Sequence, residues 1–175
     1  LNTEVVNSTP KSIYDAGPII GKSIVMQEIY KLISRLVDLD STVLINGKSG
    51  TGKQLIAKSI HDLSKKNDKR FIILNMEFFN EFSLNTFFKQ IKTYTSDNIK
   101  SIDDLNGCSI LIKNVDDSNE LQQKNFLNFL ETNLSNLSSS EIKFSKPRIF
   151  ATAKKNIINE IDRGLFREDL FYRLN

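Results

Sequence analysis

The chain has 175 residues, 39% hydrophobic and 26% charged, which is one domain's length with enough apolar material for a full core. A net charge of +3 is too mild to argue for a nucleic-acid surface, and Lys65, Lys66, Lys69 and Arg70 make only a short basic cluster, most simply a solvated loop. A single cysteine, Cys108, excludes an intrachain disulfide or a cysteine metal site and fits a reducing compartment, and neither a membrane-length apolar run nor a signal-peptide pattern is present.

Residues 1–18 carry Asn7, Ser8, Pro10, Gly17 and Pro18 with little periodicity. A linker entering the domain is expected there, with something preceding it in the full gene product. A helix is predicted over about 23–38, where Ile29, Leu32, Ile33, Leu36 and Val37 recur at helical spacing. Asp40 and Ser41 break it. Residues 42–45 are β-branched and apolar, the pattern of a buried strand.

Then comes Gly47-Lys48-Ser49-Gly50-Thr51-Gly52-Lys53, followed by Gln54 and a helical pattern to about Ser64 with Leu55, Ile56, Ser59, Ile60 and Leu63 on one face. Strand, glycine loop and helix are the setting in which G-x-x-x-x-G-K holds phosphate. The glycines let successive backbone N–H groups point inward, and the helix brings its unpaired N–H groups and positive dipole end to the same spot. Lys53 adds a charge near the β- and γ-phosphates. Gln54 departs from the pattern, since Ser or Thr there usually ligates magnesium. The plain alternative is a glycine-rich turn without a ligand. His61 sits beside the apolar stripe, a place for packing or surface rather than catalysis.

After a charged loop at 65–70, a second strand is predicted at 71–74, ending at Asn75. Residues 76–106 are less readable, with a helix expected near 84–92 and a polar, turn-rich stretch after it. A third strand is predicted at 109–112. Asp116, Asp117 and Ser118 offer caps for a long helix at 119–136, with Leu121, Phe126, Phe129, Leu130 and Leu134 as its stripe. A turn at 138–140 and a short strand or hairpin arm at 141–144 precede a fourth strand at 148–152. A helix near 157–163 ends at Gly164, and 166–174 is a last helical stretch. Strands alternate with helices, so the expected fold is α/β: a parallel sheet covered on both faces, with nucleotide at the carboxyl ends of its strands.

The stretches IIGKSIVMQEIYKLI, GKSGTGKQLIAKSIHDLS, FIILN and GLFREDLFYRLN resemble the central AAA+ domain of bacterial NtrC-family transcription activators, over about residues 19–175. The resemblance is weak across 76–106 and specific in the last motif. It implies a three-layer P-loop domain from a ring-forming ATPase that remodels the sigma-54 polymerase, binds ATP or ADP at the Walker A residues Gly47, Lys48, Ser49, Gly50, Thr51, Gly52, Lys53 and Gln54, and places Ile20 and Gly21 near the adenine. It further implies a receiver domain, partnered by a histidine kinase, and a DNA-binding domain, both outside this chain. A cytoplasmic location is implied, with no membrane contact. The family's fifth strand and helical lid are expected just beyond Asn175.

Three departures matter. The family's Walker B strand ends in Asp-Glu, where the aspartate holds magnesium through water and the glutamate polarises the attacking water. Here residues 109–112 are followed by Lys113-Asn114. An ammonium cannot hold a cation and an amide cannot act as a general base, so no metal site is expected. Asp116 and Asp117 lie at the wrong offset, and helix capping explains them without chemistry. The family's sensor asparagine aligns with Lys154 in ATAKKN. The sigma-contacting GAFTGA loop has no counterpart in 76–106, a trait of the NtrX-type branch, so no sigma-54 contact is expected.

The parts that match serve nucleotide and subunit contact. Asn75 matches the asparagine that pairs with the Walker B glutamate, a position held here by Asn114. Arg167 and Arg173 match arginine fingers that reach the γ-phosphate of a neighbouring subunit, with ion pairing to Glu168 or Asp169 as the alternative. Three readings follow: a nucleotide-binding regulatory and oligomerisation module with little or no hydrolysis, an active ATPase motor using shifted carboxylates, and an unrelated P-loop protein such as a helicase loader or kinase. The FREDLFYRLN ending argues against the third.

Overall fold

The computed structural model describes residues 19, 21–83, 87–94, 99, 102–132 and 145–175. The expected linker at 1–18, the hairpin arm at 141–144, Ile20 and the last turn of the 119–136 helix lie outside them.

The first helix, α1 (Ile24–Val37), begins at Ser23, whose Oγ accepts from the Met26 N–H. Strand β1 (Val43–Asn46) leads through the glycine loop into α2 (Lys53–Leu63). Then follow β2 (Phe71–Asn75), a 3₁₀ turn at Met76–Phe79, α3 (Phe87–Tyr94) and β3 (Ser109–Lys113). A third 3₁₀ turn, Val115–Asp117, following one at Ile102–Leu105 before β3, precedes α4 (Glu120–Glu131). Strand β4 (Arg148–Ala153), α5 (Ile157–Asp162) and α6 (Glu168–Leu174) complete the order. The four strands are parallel in the order β1-β4-β3-β2. Each is a nearly continuous apolar run because both faces of a parallel sheet are covered.

Side chains alternate between those faces. Leu111 and Phe150 pack with Val43, Ala57, Ile60, Tyr30 and Ile33 beneath α1 and α2. Ile110, Ile112 and Ala151 point the other way, into a core completed by α3, α4 and α6. That second core is built on phenylalanines. The Phe79 ring lies 4.8 Å from Phe126 and 5.7 Å from Phe129, centroid to centroid, and meets Phe78 edge-on at 5.1 Å. Alternation puts Lys113 on the face of Leu111, the side that carries the glycine loop.

The helical faces differ from the sequence reading. On α2 the buried residues are Ala57, Ser59, Ile60 and His61, while Leu55 and Leu63 are exposed. The face is rotated because His61 finds a buried partner: its Nδ1 lies 2.9 Å from Ser109 Oγ, and its ring packs against Phe71. Burial, reinforced by nearby Lys58, holds the imidazole below its usual pKa. Leu32 of α1 and Leu121 of α4 are likewise exposed. The cap of α4 is Asn119, which forms a reciprocal capping box with Gln122, so Asp116, Asp117 and Ser118 do not cap it. Cys108 is buried and its thiol is pushed up to about 12 by desolvation, an inert packing group.

One buried charge belongs to the frame. Arg148, at the start of β4, is 2% exposed, lies over the Phe150 ring and donates to the Leu36 carbonyl at the end of α1. It adds a side-chain donor to a carbonyl that already accepts the Leu39 N–H at 3.2 Å, and so ties the end of α1 to the sheet.

Candidate functional site

The glycine loop is anchored from below: Gly47 N–H donates to the Ala153 carbonyl at 3.1 Å, fastening the loop to the end of β4. Gly50 at φ 78° and Gly52 at φ 84° adopt left-handed conformations that side chains disfavour. Gly52 is also the N-cap of α2 and offers no side chain to its first-turn N–H groups, which therefore face the loop's concavity. Lys53 folds back over the loop, its Nζ donating to the carbonyls of Gly47 at 2.6 Å and Lys48 at 2.8 Å. Thr51 Oγ1 donates to the same Lys48 carbonyl.

Above the loop opens a cleft of about 660 Å³, lined by Ser49 to Leu55 together with Lys58, Lys113, Asn114, Thr152 and Lys154. The structure thus brings Lys113, Asn114 and Lys154 to the loop. Lys58 and Thr152 are additions. Thr152 could have been found only from its role: its Oγ1 accepts the Asn114 N–H at 3.1 Å and holds that residue in a left-handed turn at φ 56°, ψ 53°. Asn75 pairs in register with Lys113. Among the described residues no hydrogen bond joins Asn75 to Asn114.

Among the described residues no carboxylate lines this cleft. The two at the shifted offset are committed elsewhere. Asp116 is buried, and its two oxygens accept the N–H groups of Lys154 and Lys155, each at 3.0 Å, clamping the chain after β4. Asp117 accepts from Lys154 Nζ at 2.6 Å, a hydrogen bond that raises the lysine's pKa.

At the entry, Gly21 is required by packing, since a Cβ there would sit 2.7 Å from Met26 Cγ. Tyr30 OH donates to the Ile19 carbonyl at 3.0 Å and fixes the same segment to α1. The two arginines are not brought together. Arg167 is the N-cap of α6 and forms a bidentate pair with Asp169, at 3.0 and 2.7 Å, which raises the arginine and lowers the carboxyl. Arg173 is exposed in the last turn of α6, in a second cavity beside Asp40, Thr42 and Pro147, at the amino-terminal ends of β1 and β4.

A parallel sheet in this order, with a glycine loop leading from β1 into a helix, defines a P-loop nucleotide-binding fold of the AAA+ type. Within it, the chain belongs to the sigma-54 interaction domain family, which matches residues 19–175. It is 32% identical over 167 residues to the DNA-binding transcriptional regulator NtrC of Rhizobium meliloti, covering 92% of this chain and 34% of that protein. The crystal structure of NtrX from Brucella abortus in complex with ATP superposes with a TM-score of 0.67 at 25% identity, over 91% of this chain and 37% of that one. The same protein in complex with ADP gives 0.66 at 24%, over 90% and 36%. The resemblance to the NtrC family therefore holds in sequence, and that to its NtrX branch in fold. The chain spans about a third of the length of the curated relative. Among the described residues no helix is long and apolar enough to cross a membrane.

Proposed function

We propose that this chain is the nucleotide-binding regulatory and oligomerisation module of a two-component transcriptional regulator, binding ATP or ADP with little or no hydrolysis. The observation that carries the reading is a G-x-x-x-x-G-K phosphate loop facing a cleft wall that, among the described residues, has no carboxylate. The loop of residues 47–54, through its N–H groups beyond the Ala153-bonded Gly47, and the Lys53 ammonium would hold the phosphates, while Gly21, with Ile20, would flank the adenine. The ATP complex of the NtrX neighbour supports this use of the fold. An active motor drawing on Asp116 and Asp117 is disfavoured, because both carboxylates serve the segment after β4.

Arg167 and Arg173 serve, in this reading, a neighbouring subunit of a homo-oligomer. Arg173 projects from the end of the sheet opposite its own loop, and Arg167 would have to exchange Asp169 for phosphate. Receiver and DNA-binding domains, a histidine kinase partner and a cytoplasmic location complete the proposal. Removing the Lys53 ammonium deletes a charge-assisted contact worth about 1.5–3 kcal/mol, so Lys53→Ala should weaken ATP binding by about tenfold or more. Calorimetry giving equal affinities for the two proteins would refute the site.

The family's description is a sigma-54 interaction, which runs against the expectation of no such contact. We base that expectation on residues 76–106, which contain no GAFTGA-like sequence. Passed over immobilised sigma-54 with ATP, the protein should not be retained. Nucleotide-dependent retention would overturn the point.

A further inference from the structure

Among the described residues the cleft wall carries Lys53, Lys58, Lys113 and Lys154, four ammonium groups and no carboxylate. Two are offset by neighbours outside the lining: Lys58 pairs with Asp62 at 2.8 Å and Lys154 with Asp117 at 2.6 Å. Lys53 is held only by loop carbonyls, and among the described residues Lys113 has no ion-pair partner. Two uncompensated positive charges therefore face the place where phosphate belongs.

Magnesium does not fit this donor set. It favours octahedral oxygen coordination and is usually held by one or two carboxylates together with substrate phosphates. The protein oxygens lining the cleft are uncharged, from Ser49, Thr51, Thr152, Gln54 and Asn114. Among the described residues no group of His, Cys, Asp or Glu is placed to hold a metal ion. A magnesium-loaded triphosphate also arrives with two fewer negative charges, and its dication would be repelled by Lys113.

From this arrangement we infer that the site binds its nucleotide as the metal-free polyphosphate, with Lys113 as the built-in counterion in place of magnesium. The inference rests on the reading that the glycine loop holds nucleotide. It makes occupancy depend on free rather than magnesium-bound nucleotide, the reverse of a P-loop motor. Lys113 lines the same cleft as the glycine loop, and its place at the end of β3, paired in register with Asn75, sets the face of the sheet it occupies.

The test is calorimetric titration of the full-length protein with ATP, once in EDTA and once in excess magnesium chloride. Wild type should bind about tenfold more tightly in EDTA, the scale of one charge-assisted contact. Lys113→Gln should flatten the difference, and Lys113→Asp should reverse it. Equal or tighter wild-type binding with magnesium overturns the inference and leaves the nucleotide reading standing. Binding in neither condition overturns both. Should Lys113→Asp fail to fold, Lys113→Gln decides alone: an unchanged EDTA preference removes Lys113 from the explanation.

Discussion

Assembled full-length protein supplied with ATP and magnesium should release phosphate no faster than buffer. Phosphoryl transfer to water needs the nucleophile oriented and the developing charge neutralised. In the proposed reading the metal-side position is Lys113, the water-side position is Asn114 and the sensor is Lys154, here bound to Asp117, while Gln54 offers no hydroxyl. Loss of general-base assistance alone costs about 10²–10⁴-fold, before the metal defect is counted. The double change Lys113→Asp with Asn114→Glu should raise turnover only in the full-length form, where Arg167 and Arg173 have a neighbour's site to reach. A phosphate-release assay showing wild-type turnover that Lys53→Ala abolishes would refute this. Asp116 would then have to leave the Lys154 and Lys155 N–H groups to join the chemistry.

Phe79→Ala should be the most damaging single change outside the cleft. The ring is 0% exposed and touches Phe78 of its own turn, Phe126 and Phe129 of α4, and Phe82 at 5.9 Å between centroids. Its removal takes a large apolar surface out of contact and leaves a cavity that rigid neighbours cannot close, a cost of about 3–5 kcal/mol. That is a large share of the roughly 5–15 kcal/mol that holds a domain together. Denaturant titration should show the loss as a lowered midpoint. If the variant does not fold, Phe79→Leu should give a smaller loss in the same direction. A loss below about 1 kcal/mol would mean that the phenylalanine core repacks freely.

The sheet was readable because buried parallel strands are continuous apolar runs between turn residues, and all four strands fall where such runs lie. The phosphate loop was readable because its glycines and lysine are adjacent in sequence. The faces of α2 were not. Leu55 and Leu63 make a plausible stripe, but the helix turns His61 inward to meet Ser109, a partner 48 residues away that periodicity cannot anticipate. The same holds for Asp116. Read locally it is a cap for α4, yet its partners are N–H groups 38 and 39 residues further on. Asn119 with Gln122 was the better local signal, three residues apart as a capping box requires. Arg148 read only as a strand's first residue, since nothing near it in sequence marks the Leu36 carbonyl it reaches.

The left-handed turn at Asn114 bears on how such a site changes over generations. Asparagine is one of the few residues other than glycine that visits this conformation readily; most side chains pay about 1–2 kcal/mol there. A glutamate at 114 meets that backbone cost at φ 56°, with its N–H tethered to Thr152. A mutation restoring the carboxylate would thus be selected against for stability before Lys113 had also changed and any turnover could reward it. On the proposed reading the backbone acts as a ratchet: with the turn settled around asparagine, a path to a motor leads through less stable intermediates, and a path onward as a binding module does not.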